Sequence, residues 1–252
     1  MSWYDALIEA YSLDSPNIGL LVASVITFGF GFWEYIYSFR LTHREGVGPF
    51  PIWMHTFYFA HDSSWAVILF LAASRHHWHW FLLGGSVALF VWTLFELYNL
   101  TAAVRSPIER REDFSRYLGD EVTARQALSA IVVQILVFYG LVNVLIQFMG
   151  QGSFFQWAAI TNMVMATGPG TVWLRRGSRR GNGMGIALVI LGGTVNTFLP
   201  FGMFAGALPQ VFDRPWFYIA GVIFSAIALA NVAMVSRFPA KERTAGQKHP
   251  IR

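Results

Sequence analysis

No cysteine occurs anywhere in this chain, and charge is scarce: only 13% of its 252 residues are Asp, Glu, Lys or Arg. The first absence excludes disulfides, thiolate metal sites, iron–sulfur clusters and cysteine nucleophiles. The second separates the chain from soluble domains, in which about a quarter of residues are charged. Lysine is nearly missing too. Lys241 and Lys248 both lie after the last apolar segment, so no segment offers a lysine for a retinal-type Schiff base. Apolar and aromatic side chains fill the space, with 55% hydrophobic residues and 17% Phe, Trp and Tyr.

The apolar residues fall into seven segments, 17–38, 52–73, 79–103, 127–149, 155–174, 184–206 and 216–236. Each is about long enough to cross a ~30 Å hydrocarbon core at 1.5 Å per residue. Basic residues collect in alternate gaps: Arg40 and Arg44; Arg105, Arg110, Arg111, Arg116 and Arg125; Arg175, Arg176, Arg179 and Arg180; then Arg237, Lys241, Arg243, Lys248 and Arg252. Only Arg75 and Arg214 fall elsewhere, and residues 1–15 hold Asp5, Glu9 and Asp14 with no base. Basic loops favour the cytoplasm. The expectation is an all-α polytopic membrane protein, a single seven-transmembrane-helix domain over 1–252, with its N-terminus outside and its C-terminus cytoplasmic. The first segment is too long, and its flank too acidic, for a cleaved signal peptide. The net charge of +4 belongs to loops facing anionic lipid; nothing points to nucleic acid. A bacterial plasma membrane or an ER-type membrane is the expected location.

Between the spans, 104–126 alternates charge sign, and Ser106-Pro107-Ile108-Glu109 reads as a helix start. It predicts a cytoplasmic amphipathic helix, with 237–252 as a basic cytoplasmic tail. Gly46, Gly48, Pro49 and Pro51 predict a tight turn. Phe198-Leu199-Pro200-Phe201-Gly202 and Gly168-Pro169-Gly170 predict kinks in the sixth and fifth spans. The run Arg75-His76-His77-Trp78-His79-Trp80 holds three histidines but only one cluster, where a membrane hydroxylase needs several; an interfacial aromatic belt accounts for it. No metal site and no cofactor are expected.

Charge inside a membrane costs at least ~2.5–3.5 kcal/mol per group, so intramembrane carboxylates are functional candidates. Glu34, Asp62 and Glu96 occupy the first, second and third segments. Counting from the nearest cytoplasmic end places them about 9, 15 and 13 Å deep. Helical spacing sets His55, Tyr58 and Trp65 on the face of Asp62, sets Trp92 and Asn99 with Glu96, and sets Trp33 beside Glu34. Asn196 and Asn231 fall at comparable depth on later segments. Converging faces would make an aromatic cavity with acidic groups. The bland alternative is interhelical glue, worth ~0.6 kcal/mol per hydrogen bond. Desolvation and like charge keep carboxyls neutral and able to donate a proton, and aromatic faces stabilise cations. The combination suits acid-initiated isomerisation or cyclisation of a lipid-soluble substrate.

The stretch from Trp33 to Glu96 resembles the small seven-span integral membrane terpene cyclases of meroterpenoid pathways, the paxilline and pyripyropene type. The resemblance rests on the turn Gly46-Val47-Gly48-Pro49, on His61-Asp62-Ser63-Ser64-Trp65 in the second span and on Trp92-Thr93-Leu94-Phe95-Glu96 in the third. It departs where Asp62 precedes its tryptophan and where Asn231 stands in place of a family acid. What it implies is protonation of a terminal epoxide or alkene on a prenylated lipophilic substrate, followed by carbocation cyclisation, with Asp62 as donor and Glu96 and Glu34 in support. Other readings of the same acids are a sterol-isomerase-type enzyme, a proton-coupled transporter and a non-enzymatic lipid-binding protein. Membrane lipid and the substrate are the expected partners, with no obligate protein partner.

Overall fold

A computed structural model describes residues 3–241, of which 81% are helical, with no strand among them. In chain order the helices are α1 (Trp3–Ala10), α2 (Ile18–Glu45), α3 (Ile52–Arg75), α4 (Trp80–Arg105), α5 (Pro107–Leu118), α6 (Ala124–Met149), α7 (Phe154–Arg176), α8 (Met184–Thr197), α9 (Met203–Ala207), α10 (Pro209–Phe212) and α11 (Pro215–Arg237). Four of them, α2, α4, α6 and α11, are long and apolar enough to cross a membrane, which makes this an integral membrane protein. Helices α3 and α7 have comparable length but carry more polar residues. Of the expected basic tail, Arg243, Lys248 and Arg252 lie outside the described residues.

Local chemistry sets most boundaries. The Asn17 side chain accepts from Leu20 N at 3.1 Å and starts α2. That helix runs past the expected end at 38 and stops only at Gly46, whose φ of 67° closes a left-handed cap onto Thr42. At the start of α5 Ser106 accepts from the Glu109 backbone and Pro107 takes the first position, as the motif predicts. A reciprocal Thr123–Gln126 capping box opens α6. The sixth apolar segment is not one helix. It breaks after Thr197, turns through Phe198–Gly202 and resumes as α9, because Pro200 has no N–H to continue the ladder. In α7 the Gly168-Pro169-Gly170 segment makes a close approach to neighbouring helices. Helix α7 continues through Pro169, and a Cβ at Gly168 or Gly170 would lie 2.2 Å from Met54 Sδ or 2.3 Å from Asn231 Oδ1. Lipid is as apolar as leucine, so such close packing and interhelical hydrogen bonds hold the helices together.

Helix α3 forms the centre, packed against α4, α6 and α7. One end of the bundle gathers the basic segments. There Trp173 Nε1 donates to Pro49 O (2.7 Å), and Arg176 reaches Gly48 O (2.7 Å) and Glu112 (2.7 Å). Backbone N–H groups of Gly48 and Ile52 donate to Glu109 (2.7 Å) and Asp113 (2.6 Å). The tight turn at 46–51 is thereby strapped to α5 and α7. Burial pushes the Glu109 carboxyl above its ordinary range, against the opposing pull of the Gly48 N–H. At the other end lies α1, which hydropathy alone does not reveal. Its Tyr4 hydroxyl donates to Gln151 O, while the Tyr11 ring beyond it stacks on Phe81 at 3.6 Å.

Candidate active site

Three helices supply the acids, and α2 brings its share through a buried stripe of Ser24, Glu34, Tyr35, Ser38 and Leu41. Glu96 on α4 is held from both sides: Tyr35 donates to Oε1 at 2.6 Å, and His55 Nδ1 lies 2.5 Å from Oε2. All three side chains are buried. This triad ties α2, α3 and α4 together. Asp62 on α3 has a different partner, His61, whose Nδ1 lies 2.8 Å from Oδ1. His55 and Asp62, set on one face by helical spacing, are not partners. Seven residues put those two side chains on one face but about 10 Å apart along the axis, beyond reach.

Between α2, α3, α4, α7, α8 and α9 lies a cavity of about 100 Å³. Glu34, Asp62 and His61 line it, with walls from Tyr35, Tyr58, Trp92, Phe154 and Phe204. Several polar atoms of these residues are left over. Asp62 Oδ2, His61 Nε2 and Trp92 Nε1 are buried with no hydrogen-bond partner, and Glu34 makes no hydrogen bond among the described residues. Buried polar groups are nearly always paired, and here the unpartnered atoms belong to residues that line one largely aromatic cavity. Glu34, Tyr58 and Asp62 line the same cavity, and Glu96 does not. Tyr58 itself donates to Thr161 O at 2.7 Å.

The remaining expected site residues fall at varied distances from the cavity. Trp65 is fully buried and packs behind its wall on Phe154, ring centroids 5.6 Å apart. Asn196 donates to Thr27, a lining residue, at 2.8 Å. Asn99 sits below Glu96 and accepts from Ser38 at 3.4 Å. Asn231 donates to Ala166 O at 2.9 Å, joining α11 to α7 away from the cavity. Trp33 is 52% exposed and faces outward, because it stands 100° round the helix from Glu34. Two site residues escaped the sequence argument. Tyr35 lies one position past Glu34, and its signal was the i, i+3 spacing with Ser38. His61, in the sequence only one member of the His61–Trp65 motif, adjoins Asp62 and closes on it although adjacent helical residues do not face each other. Among the described residues no three His, Asp or Glu side chains gather closely enough to hold a metal ion.

No protein-family model, curated protein or solved structure matches the chain.

Proposed function

We propose that this protein is an intramembrane general-acid catalyst that cyclises or isomerises a lipid-soluble prenylated substrate, in the manner of the membrane terpene cyclases. The observation that carries the reading is the set of unpaired atoms of Asp62, His61 and Glu34 on one aromatic-walled cavity. Asp62 gives its proton to an epoxide oxygen or alkene carbon of the substrate. The epoxide C–O bond opens, or the alkene π bond is spent, and a tertiary cation forms. An internal alkene then attacks that cation, and the faces of Tyr58, Trp92 and Phe154 stabilise the charge. Loss of a proton from carbon to Glu34 or His61 closes the balance, so product and substrate are isomers.

Size bears on the substrate. A cavity of about 100 Å³ is smaller than the ~150 Å³ engineered cavity that takes benzene. It suits one reacting prenyl terminus, and the rest of the molecule lies toward the bilayer. In this reading α2, α3, α4, α6, α7, the broken α8–α9 pair and α11 make seven traverses. The basic end is cytoplasmic and the N-terminus outside, in a plasma or ER-type membrane.

The test is direct. Purified protein in lipid nanodiscs is given prenylated phenols bearing a terminal epoxide, or the matching alkenes, and the extract is searched for products of unchanged mass. Cyclised isomers lost in Asp62→Asn support the reading. Absence of any isomer from either substrate class sinks it. Deuterium from D₂O retained on product carbon would assign alkene rather than epoxide protonation.

A further inference from the structure

A second site lies on the outer face of α2 and α4, at the basic end. Helix α2 has 28 residues, about 42 Å at helical rise, which exceeds the ~30 Å hydrocarbon core by roughly two turns. Those last turns carry Arg40, His43 and Arg44, all exposed. They border a groove of about 630 Å³ whose other walls are Phe39, Phe95 and Tyr98. The aromatic walls are ordered against each other, with Phe39 edge-on to Phe95 at 5.0 Å and to Tyr98 at 4.9 Å.

Several basic side chains of this end are engaged inside the protein. Arg110 donates to Val104 O and Val122 O, Arg176 to Gly48 O and Glu112, and Arg179 to Val235 O. Arg40 and His43 make no hydrogen bond or ion pair among the described residues. Cations in the last turn of a helix also complement its dipole, yet that does not account for an aromatic groove running from them toward the hydrocarbon. We propose that this groove holds one anionic phospholipid, its headgroup phosphate on Arg40, His43 and Arg44 and an acyl chain along Phe39, Phe95 and Tyr98. The occupant follows from charge complementarity and from depth: a cationic rim at headgroup level continues into an apolar trough at chain level. The site is independent of the cavity around Asp62.

Native mass spectrometry of the full-length protein, released from micelles containing equal phosphatidylglycerol and phosphatidylcholine of matched chains, tests this. The expected result is one retained phosphatidylglycerol in preference to phosphatidylcholine. Arg40→Gln/Arg44→Gln should reduce that preference at least about tenfold. The matched-charge control Arg111→Gln/Arg116→Gln, on exposed residues of α5, should keep it. Phe39→Ala/Tyr98→Ala should shorten retention of both lipids, while excess glycerol phosphate should compete poorly. Equal retention of the two lipids by the native protein, equal losses in both arginine variants, or full competition by glycerol phosphate would each overturn the proposal. Unchanged thermal melting of each variant separates lipid loss from misfolding.

Discussion

Asp62 is paired with His61, the residue before it in sequence, across 2.8 Å, and its second oxygen is left without a partner at the cavity. The histidine thus holds one oxygen of the carboxyl. Its own Nε2 is likewise unpartnered. The Glu96 carboxyl differs, with Tyr35 on one oxygen and His55 on the other.

The first prediction concerns that division of labour. Asp62→Asn should lower turnover of an accepted prenylated substrate at least about a hundredfold, the ordinary range of general acid catalysis, while membrane insertion survives. His61→Gln should lower it less, since an amide can still orient Asp62. Full activity in Asp62→Asn, read by isomer formation in nanodiscs, would move the donor role to Glu34.

Glu96 is expected to matter more for stability. Glu96→Leu strands the Tyr35 hydroxyl and His55 Nδ1, both buried. Breaking a buried ionic cluster costs about 3–5 kcal/mol, a fall in melting temperature on the order of 10 °C for a chain of this size. The triple change Tyr35→Phe/His55→Leu/Glu96→Leu should regain part of it. A single variant that melts like the native protein would show that the triad contributes nothing.

Gly31 controls the cavity wall. A Cβ there would lie 2.9 Å from the Trp92 ring, so Gly31→Ala must push Trp92 aside and reshape the pocket. Product distribution should change more than melting temperature. Unchanged products from an active Gly31→Ala protein would remove Trp92 from the cation-stabilising wall.

At the basic end, Glu109 offers a pH test. Burial raises its carboxyl pKa in the folded protein. For an acid raised in this way, the protonated form is favoured by folding. The stabilising contribution is full below the unfolded glutamate range and is lost as pH rises through the folded value. Glu109→Gln, which still accepts from Gly48, should therefore melt higher than the native protein at pH 8 and approach it at pH 5. The opposite order would mean that the ionised carboxylate, aided by Arg176, is the form the fold prefers.

Topology can be read with single cysteines, since the chain has none of its own. Leu13, 65% exposed between α1 and α2, and exposed Asp120 after α5 are suitable sites. An impermeant reagent should label Leu13→Cys in intact cells and Asp120→Cys only after lysis. Labelling of both in intact cells would end this topology, and labelling of Asp120→Cys alone would reverse the positive-inside reading.

Hydropathy, capping and charge carried the helices a long way from sequence alone. The start of α5 follows from Ser106-Pro107, because a cap is a local hydrogen bond between residues three apart, whereas the Thr123–Gln126 capping box opens α6 ahead of the apolar segment that begins at 127. The break at Phe198–Gly202 was legible as a disturbance, but only as a kink. The end of α2, residues 39–45, was not, since polar residues from Arg40 onward continue a helix that only Gly46 ends.

The identities and depths of Glu34, Asp62 and Glu96 were properties of the chain itself, because carboxylates in apolar runs stand out whatever the fold. Their partners were not. Helical periodicity fixes which face a residue occupies, yet a hydrogen bond needs atoms within about 3 Å. Which residue meets which acid depends on rotamers and on how α2, α3 and α4 approach one another. That is why Tyr35 and His55 close on Glu96, His61 closes on Asp62, and Trp33 turns outward. Periodicity describes one helix at a time; the cavity exists only between six of them.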